Sequence, residues 1–414
     1  MKGTPGSLRR VHRSLVLRGV FDSPGISRGE LADRLGLSQM AIGRIVRELE
    51  VAGLVVESVQ APASGRGRPA SALGLRADGA YAVGAVLSAY SQEVTVVDLC
   101  GNPIGTRPIA IEDISDGEAV LGQACDAIAS LLDSAGIDAS RVAGASFSVA
   151  VNVDPSRGVV LGGGYLGWKP FDLGVRAEAA LGAPVSVERV ADTLVRAETF
   201  HGCAPDARAV VLIHAATTLG MSVWFDGALM RGAGFHAGRI GHFPTRPTRM
   251  ICSCGRSDCL NCVASGWSVL VRLGEGGGPA YAPARVRDYA RQIHDLIEPT
   301  VPTASRAARV RRLLGDAGVA LARALAYVDL SFDPDVVIVA GSLARNDSYF
   351  RGLLRGLQQG GAVGADLVRK TTRSTMAPVH AAALVALLDH VYSPGLELDS
   401  FGAGAGVAGG FADG

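Results

Sequence analysis

The chain has 414 residues, 48% of them hydrophobic and 19% charged, with a formal net charge of +1; this is ample core material for two or three domains and excludes a disordered polyelectrolyte. No apolar stretch is long and uninterrupted enough to span a bilayer, and Met1-Lys2-Gly3-Thr4-Pro5 lacks the apolar segment of a signal peptide, so a cytoplasmic protein is expected. The small total charge hides an asymmetry: residues 1–76 carry twelve Lys or Arg against six Asp or Glu, leaving an acidic remainder, the pattern of a chain that meets a polyanion at one end.

Residues 1–76 read as a basic, helix-rich domain. Ser27-Arg28-Gly29-Glu30 has the Ser-x-x-Glu form of a capping box and predicts a helix from there to about Leu35. Gly36-Leu37-Ser38 supplies a tight turn, and Ser38 can cap a second helix from Gln39 to about Ala52. In that helix Ile42, Ile45, Val46 and Leu49 repeat at helical spacing and should face a core. Gln39, Met40, Gly43, Arg44 and Arg47 fall on the other face, which suits entry into a DNA major groove. Two candidate strands follow, Leu54–Glu57 and Ala72–Leu75. The segment between them, Gly65-Arg66-Gly67-Arg68-Pro69, strips away bulk around two arginines that can reach a narrow groove of strong negative potential. Helices, turn, hairpin and basic tip together predict a winged helix-turn-helix with Ser38, Gln39, Met40, Gly43, Arg44, Arg47, Arg66 and Arg68 at double-stranded DNA. Arg9, Arg10 and Arg13 are expected on a solvated helix face.

From about residue 77 to 394 β-branched runs alternate with Ala/Leu-rich stretches, the pattern of an α/β fold. Strands are predicted at Ala82–Leu87, Val94–Leu99, Val210–Ile213 and Val336–Ala340, a hairpin turn at Gly101-Asn102, and a long helix over Ala307–Leu330. Four of the seven cysteines crowd into Cys252, Cys254, Cys259 and Cys262. His242 with Cys252, Cys254 and Cys259 makes a closed tetrahedral set of three thiolates and one imidazole, which predicts a structural zinc in a loop of about 242–262, with Cys262 as a spare ligand. Residues 395–414 are Gly/Ala-rich and read as a loose tail.

The order of these motifs resembles the ROK regulators (repressors, open reading frames and kinases). The resemblance is carried by the helix pair, the Gly-Arg-Gly-Arg-Pro wing, Val97–Asn102, Leu166-Gly167-Trp168, Phe225–Leu229 with Arg231-Gly232-Ala233, Gly241-His242, the cysteine run, Ala340–Leu343 and Ala381–Leu384. It implies an N-terminal winged helix-turn-helix joined to a two-lobed actin-like ATPase/sugar-kinase (ribonuclease-H-like) domain. It also implies a homo-oligomer, dimer or tetramer, and a sugar-derived effector in the interlobe cleft.

The kinase parts depart from the family pattern. The first phosphate motif, Asp-x-Gly-Gly-Thr, falls on Val86-Leu87-Ser88-Ala89-Tyr90, and the second glycine-rich turn on Ala216-Thr217-Thr218-Leu219-Gly220. The catalytic Asn-Asp pair falls on Arg189-Val190, and valine cannot accept a proton. No enzyme activity and no ATP or Mg²⁺ are therefore expected. The sugar-contact positions read Tyr165, Arg189, Arg239, His242 and Asn261; the two arginines either predict an anionic effector or are exposed or paired internally with Glu188 or Asp192, leaving the cleft empty. Competing readings are an active carbohydrate kinase with an appended DNA-binding domain, and a constitutive DNA binder without effector.

Overall fold

The computed structural model describes residues 5–59, 71–111, 113–162, 166–297, 304–360, 367–370 and 377–398. The chain opens with α1 (Pro5–Asp22), α2 (Arg28–Leu35), α3 (Gln39–Val51) and a hairpin of β1 (Val55–Val59) with β2 (Ser71–Leu75). Ser27 Oγ accepts the Glu30 N–H at 3.2 Å, and the Glu30 carboxylate accepts the Ser27 N–H at 2.9 Å. Two donors orphaned at a helix start are thus satisfied reciprocally. Gly36 ends α2 at φ +64°, a left-handed turn that glycine makes without a Cβ clash. Ser38 Oγ accepts from the Ala41 N–H at 3.2 Å and starts α3. Ile42, Ile45, Val46 and Leu49 are at most 1% exposed and pack on Val16, Leu17 and Val20 of α1 and on Leu31, Leu54 and Leu73.

The first lobe of the body contains β3 (Tyr81–Leu87), β4 (Gln92–Asp98), β5 (Pro103–Pro108), α4 (Gly117–Ser134), β6 (Val142–Val149), the ribbon β7 (Asn152–Asp154) with β8 (Val159–Gly162), α5 (Leu173–Leu181) and β9 (Val185–Arg189). The second contains α6 (Val190–His201), β10 (Ala209–Ala215), β11 (Leu219–Phe225), β12 (Ala228–Leu229), α7 (Asn261–Ala264), α8 (Gly266–Leu273), α9 (Val286–Ile297), α10 (Ala304–Phe332), β13 (Val336–Ala340), α11 (Ser342–Arg345), α12 (Asp347–Gly360) and β14 (Val368–Lys370). A last helix, α13 (Pro378–Ala386), returns to the first lobe.

The sheets run β5-β4-β3-β6-β9 and β12-β11-β10-β13-β14. In each, three antiparallel strands are extended by two parallel ones. One topology is therefore used twice, the duplicated arrangement of the actin-like, sugar-kinase fold. On β3, a Cβ at Gly84 would lie 2.4 Å from Ala383 N and 2.5 Å from Val379 O. Only glycine lets the α13 backbone rest on that strand.

Side-chain alternation sorts the second lobe's sheet into two faces. Val210, Leu212, Val336 and Ile338 join α6, α13 and the N-terminal unit in one apolar cluster, while Val211, Ile213, Val337 and Val339 join α10 in the other. The N-terminal unit is thus fused to the body through a shared core.

Two expectations are corrected here. Leu396, placed in a loose tail, is 4% exposed, and Leu398 packs partly against the same cluster. Arg13, expected in solvent, is half-buried and donates to the Leu396 carbonyl. The apolar side chains of Leu396 and Leu398 explain why packing continues past Pro394. Arg9 is exposed but paired with Glu48 of α3 at 2.5 Å.

Candidate functional site

The outer face of α3 is open. Ser38, Gln39, Met40, Arg44 and Arg47 are exposed, Met40 to 86%, and Gly43 is half-buried. The neighbouring cation Arg28 is spent, pairing with Glu57 at 2.5 Å and lying 3.8 Å from Glu50, which ties α2 to α3 and to β1. Arg44 lies 4.0 Å from Glu48, a carboxylate already held by Arg9. Arg47 has no ion-pair partner among the described residues. The hairpin register runs from Val55↔Leu75 to Val59↔Ser71; its tip, with Arg66 and Arg68, lies outside the described residues.

A cleft of about 320 Å³ separates the lobes, lined by Asn152, the start of α6, His214, the Thr218–Met221 segment, Arg239, His242 and Asn261 among others. None of the described residues lining it is Asp or Glu. Arg189 lines the cleft but is not a free cation. It forms a bidentate pair with Asp192 at 2.7 and 3.0 Å and donates a third N–H to the Ala237 carbonyl at 2.8 Å. Asp192 also accepts the Ser222 hydroxyl at 2.6 Å. Of the two readings of Arg189, added positive charge in the cleft or an internal pair with Glu188 or Asp192, the structure has the pair: Asp192, three positions along, neutralises it.

Asn261 is 3% exposed, and its Oδ1 accepts the Leu219 N–H at 2.8 Å, so it holds the β10–β11 turn. Arg239 sits exposed at the cleft, and its guanidinium has no ion-pair or hydrogen-bond partner among the described residues. Tyr165 lies outside them. Burial pushes the His214 imidazole down to about 4, so it is neutral at physiological pH. The carbonyls of Ala216 and Thr217 accept from the Gly266 and Trp267 N–H groups at 2.9 and 3.1 Å. At the Ser88–Ser91 turn, Ser88 Oγ accepts the Ser91 N–H at 3.0 Å. Both turns are occupied by bonds within the protein.

His242, Cys252, Cys254 and Cys259 bring one ligand atom each to within 4.8 Å of one another. His242 Nδ1 lies 3.6 Å from Cys252 Sγ and 3.8 Å from Cys259 Sγ, and Cys254 Sγ lies 3.4 Å from Cys259 Sγ. A tetrahedral ion with arms of about 2.0–2.3 Å has ligand–ligand edges of about 3.5–3.8 Å, whereas a disulfide would need about 2.05 Å. The donor set fits a metal. Hydrogen bonds, first from Cys262 and then from His242, favour the Cys252 thiolate. Cys262 itself is buried with its Sγ 3.7 Å from the Met250 carbonyl, outside the four-ligand group. His242 belongs to both the cluster and the cleft wall, and Asn261 Nδ2 lies 3.9 Å from Cys252 Sγ, so cluster and cleft share a border.

The sequence placed Arg9, Arg10 and Arg13 on a helix but did not single out the junction of α1 with the body. Val16, Leu17, Val20 and Phe21 recur at helical spacing, which was the available signal.

A family model described as ROK family matches residues 112–383, and one described as winged helix-turn-helix DNA-binding matches residues 17–56. The chain is similar to a putative xylose repressor from Caldicellulosiruptor sp. (strain Rt8B.4), 23% identical over 263 residues, covering 64% of this chain and 66% of that one, a little under two thirds of its length. It is similar to the dual transcriptional regulator NagC of Escherichia coli K12, 21% identical over 353 residues, covering 83% and 84%. Among solved structures, a ROK family transcriptional regulator homologous to E. coli MLC superposes with a TM-score of 0.74 at 24% identity, covering 96% of this chain and all of that one. Sugar kinases are also among the similar proteins.

Proposed function

The chain belongs to the ROK family, and we propose that it is a DNA-binding transcriptional regulator that represses carbohydrate-related genes. The observation that carries this reading is the exposed face of α3, with Gln39, Met40, Arg44 and Arg47 uncovered while Ile42, Ile45, Val46 and Leu49 are buried. Polar and basic side chains on such a helix meet base edges and phosphates in the major groove. Arg66 and Arg68 are assigned to the adjoining minor groove. The repressors among the similar proteins support the same reading.

The body is proposed to sense and oligomerise rather than to transfer phosphate. A hydroxyl nucleophile needs a carboxylate to take its proton; Val190 stands at that position, and Asp192 is already bonded to Arg189 and Ser222. The effector is proposed to be a sugar-derived anion. This rests on Arg239, the uncommitted guanidinium at the cleft, and on the lack of lining carboxylates among the described residues, since these would accept from neutral sugar hydroxyls. His242, Cys252, Cys254 and Cys259 are proposed to hold a structural zinc, which would cross-link the loop that walls the cleft. The protein is proposed to act in the cytoplasm as a homo-oligomer. Genomic footprinting tests the whole: enrichment beside carbohydrate genes supports it, and no enrichment at discrete sites contradicts it.

A further inference from the structure

The face of the second lobe turned away from the N-terminal unit carries a groove between α10 and α12. We propose that this groove is a binding site for a small, multiply charged phosphate anion.

The open groove has a volume of about 510 Å³ and is lined by Arg311 and Arg312 of α10, Arg351 and Arg355 of α12, and Asp316 and Ser348. The two helices touch backbone to backbone at its floor. A Cβ at Gly352 would lie 2.1 Å from the Gly315 carbonyl oxygen, and one at Gly315 would lie 3.6 Å from Arg355 Nη2. The missing side chains leave a valley with Arg355 across it.

Near the N-terminal end of α10 the other arginines are neutralised or bonded, together with Arg272 of α8, while Arg323, further along α10, is exposed and away from the groove. Arg306 pairs with Glu275 at 2.8 Å, Arg272 with Asp316 at 3.2 Å, and Arg309 donates to the Arg272 carbonyl at 2.8 Å. Arg311, Arg312, Arg351 and Arg355 are all exposed, and their guanidinium groups have no ion pair or hydrogen bond among the described residues. Among the described residues lining it, the one carboxylate, Asp316, is already engaged by Arg272. Four like charges on one concavity repel unless an anion or salt compensates them, and guanidinium forks match phosphate oxygens two at a time. The groove's volume is in the range of small-ligand pockets, about 300–1,000 Å³, which favours a compact oligophosphate or phosphate ester over a long acidic polypeptide.

The site is separate from the DNA-binding unit, because the two lie on opposite faces of the β12-β11-β10-β13-β14 sheet. The test is calorimetry of the full chain with inorganic tripolyphosphate at about 0.15 M salt, where exposed charges are screened beyond about 8 Å. Saturable binding is expected, weakened at least roughly tenfold by Arg351→Gln with Arg355→Gln, as loss of charge-assisted bonds worth about 1.5–3 kcal/mol requires. The pair Arg44→Ala with Arg47→Ala should leave it unchanged. Binding lost in the α3 variant but kept in the groove variant overturns the proposal. So does saturable binding of hexaglutamate with none of tripolyphosphate, or no saturable binding of either.

Discussion

Phe200, in the last turn of α6, stacks on Phe21, in the last turn of α1, with ring centroids 5.1 Å apart and planes inclined by 16°. Tyr392 closes the cluster 4.9 Å from Phe21, and Arg18 lies 3.9 Å from the Phe200 ring centre while donating to the Phe200 carbonyl at 2.7 Å. The same α6 begins at the cleft beside Arg189. One rigid element therefore touches both the cleft and the unit that presents α3.

Truncating either ring should loosen that junction. Phe200→Ala and Phe21→Ala are each expected to cost about 3–5 kcal/mol, the range for buried aromatic truncations. A double-mutant cycle by urea denaturation should give a coupling of about 0.5–1.5 kcal/mol. Strictly additive losses would show that the rings do not act as a pair.

His214 predicts an acid limb in the stability profile. Its folded-state pKa of about 4 lies below its unfolded value of 6.5, so the unfolded chain binds the proton first. Its contribution is complete above about pH 6.5 and is lost as pH falls towards 4, up to about 3 kcal/mol. Chemical denaturation across that window should show the slope, and His214→Gln should flatten it; an unchanged slope in the variant assigns the limb to other groups.

Charge at the cleft decides what it takes. Calorimetry with glucose 6-phosphate and with glucose should favour the phosphorylated sugar, and Arg239→Gln should weaken it roughly tenfold, the cost of about one charged hydrogen bond. Tight binding of the unmodified neutral sugar would remove the anionic reading of the cleft.

The cysteine loop should carry one metal ion per chain. Cys252→Ser and Cys259→Ser are each expected to abolish stoichiometric zinc by elemental analysis and to lower the melting temperature, while Cys262→Ser should retain the metal. Equal zinc content in all three variants would contradict the four-ligand assignment.

Much of this was legible because it is local. Ser27 with Glu30, Gly36 and Ser38 each fix a helix end through bonds within four residues, and the Cys252–Cys259 spacing places three sulfurs in one short loop. What escaped depends on distant partners. The choice between a free Arg189 and one paired with Asp192 was open in the sequence, and the contact that helps fix it, the Ala237 carbonyl, lies 48 positions away. The docking of Arg13 on the Leu396 carbonyl joins residues 383 positions apart. The duplicated sheet topology is written in strand order, and the two lobes reach it with unlike side chains.

Fluorescence anisotropy with a footprinted operator fragment, comparing the native chain with Arg44→Ala and Arg47→Ala, addresses the regulator assignment most directly. Each variant should melt at the native temperature and bind the operator at least roughly tenfold more weakly, as loss of a base or phosphate contact worth about 1–3 kcal/mol requires. Native-like affinity in both variants would mean that α3 does not face the duplex.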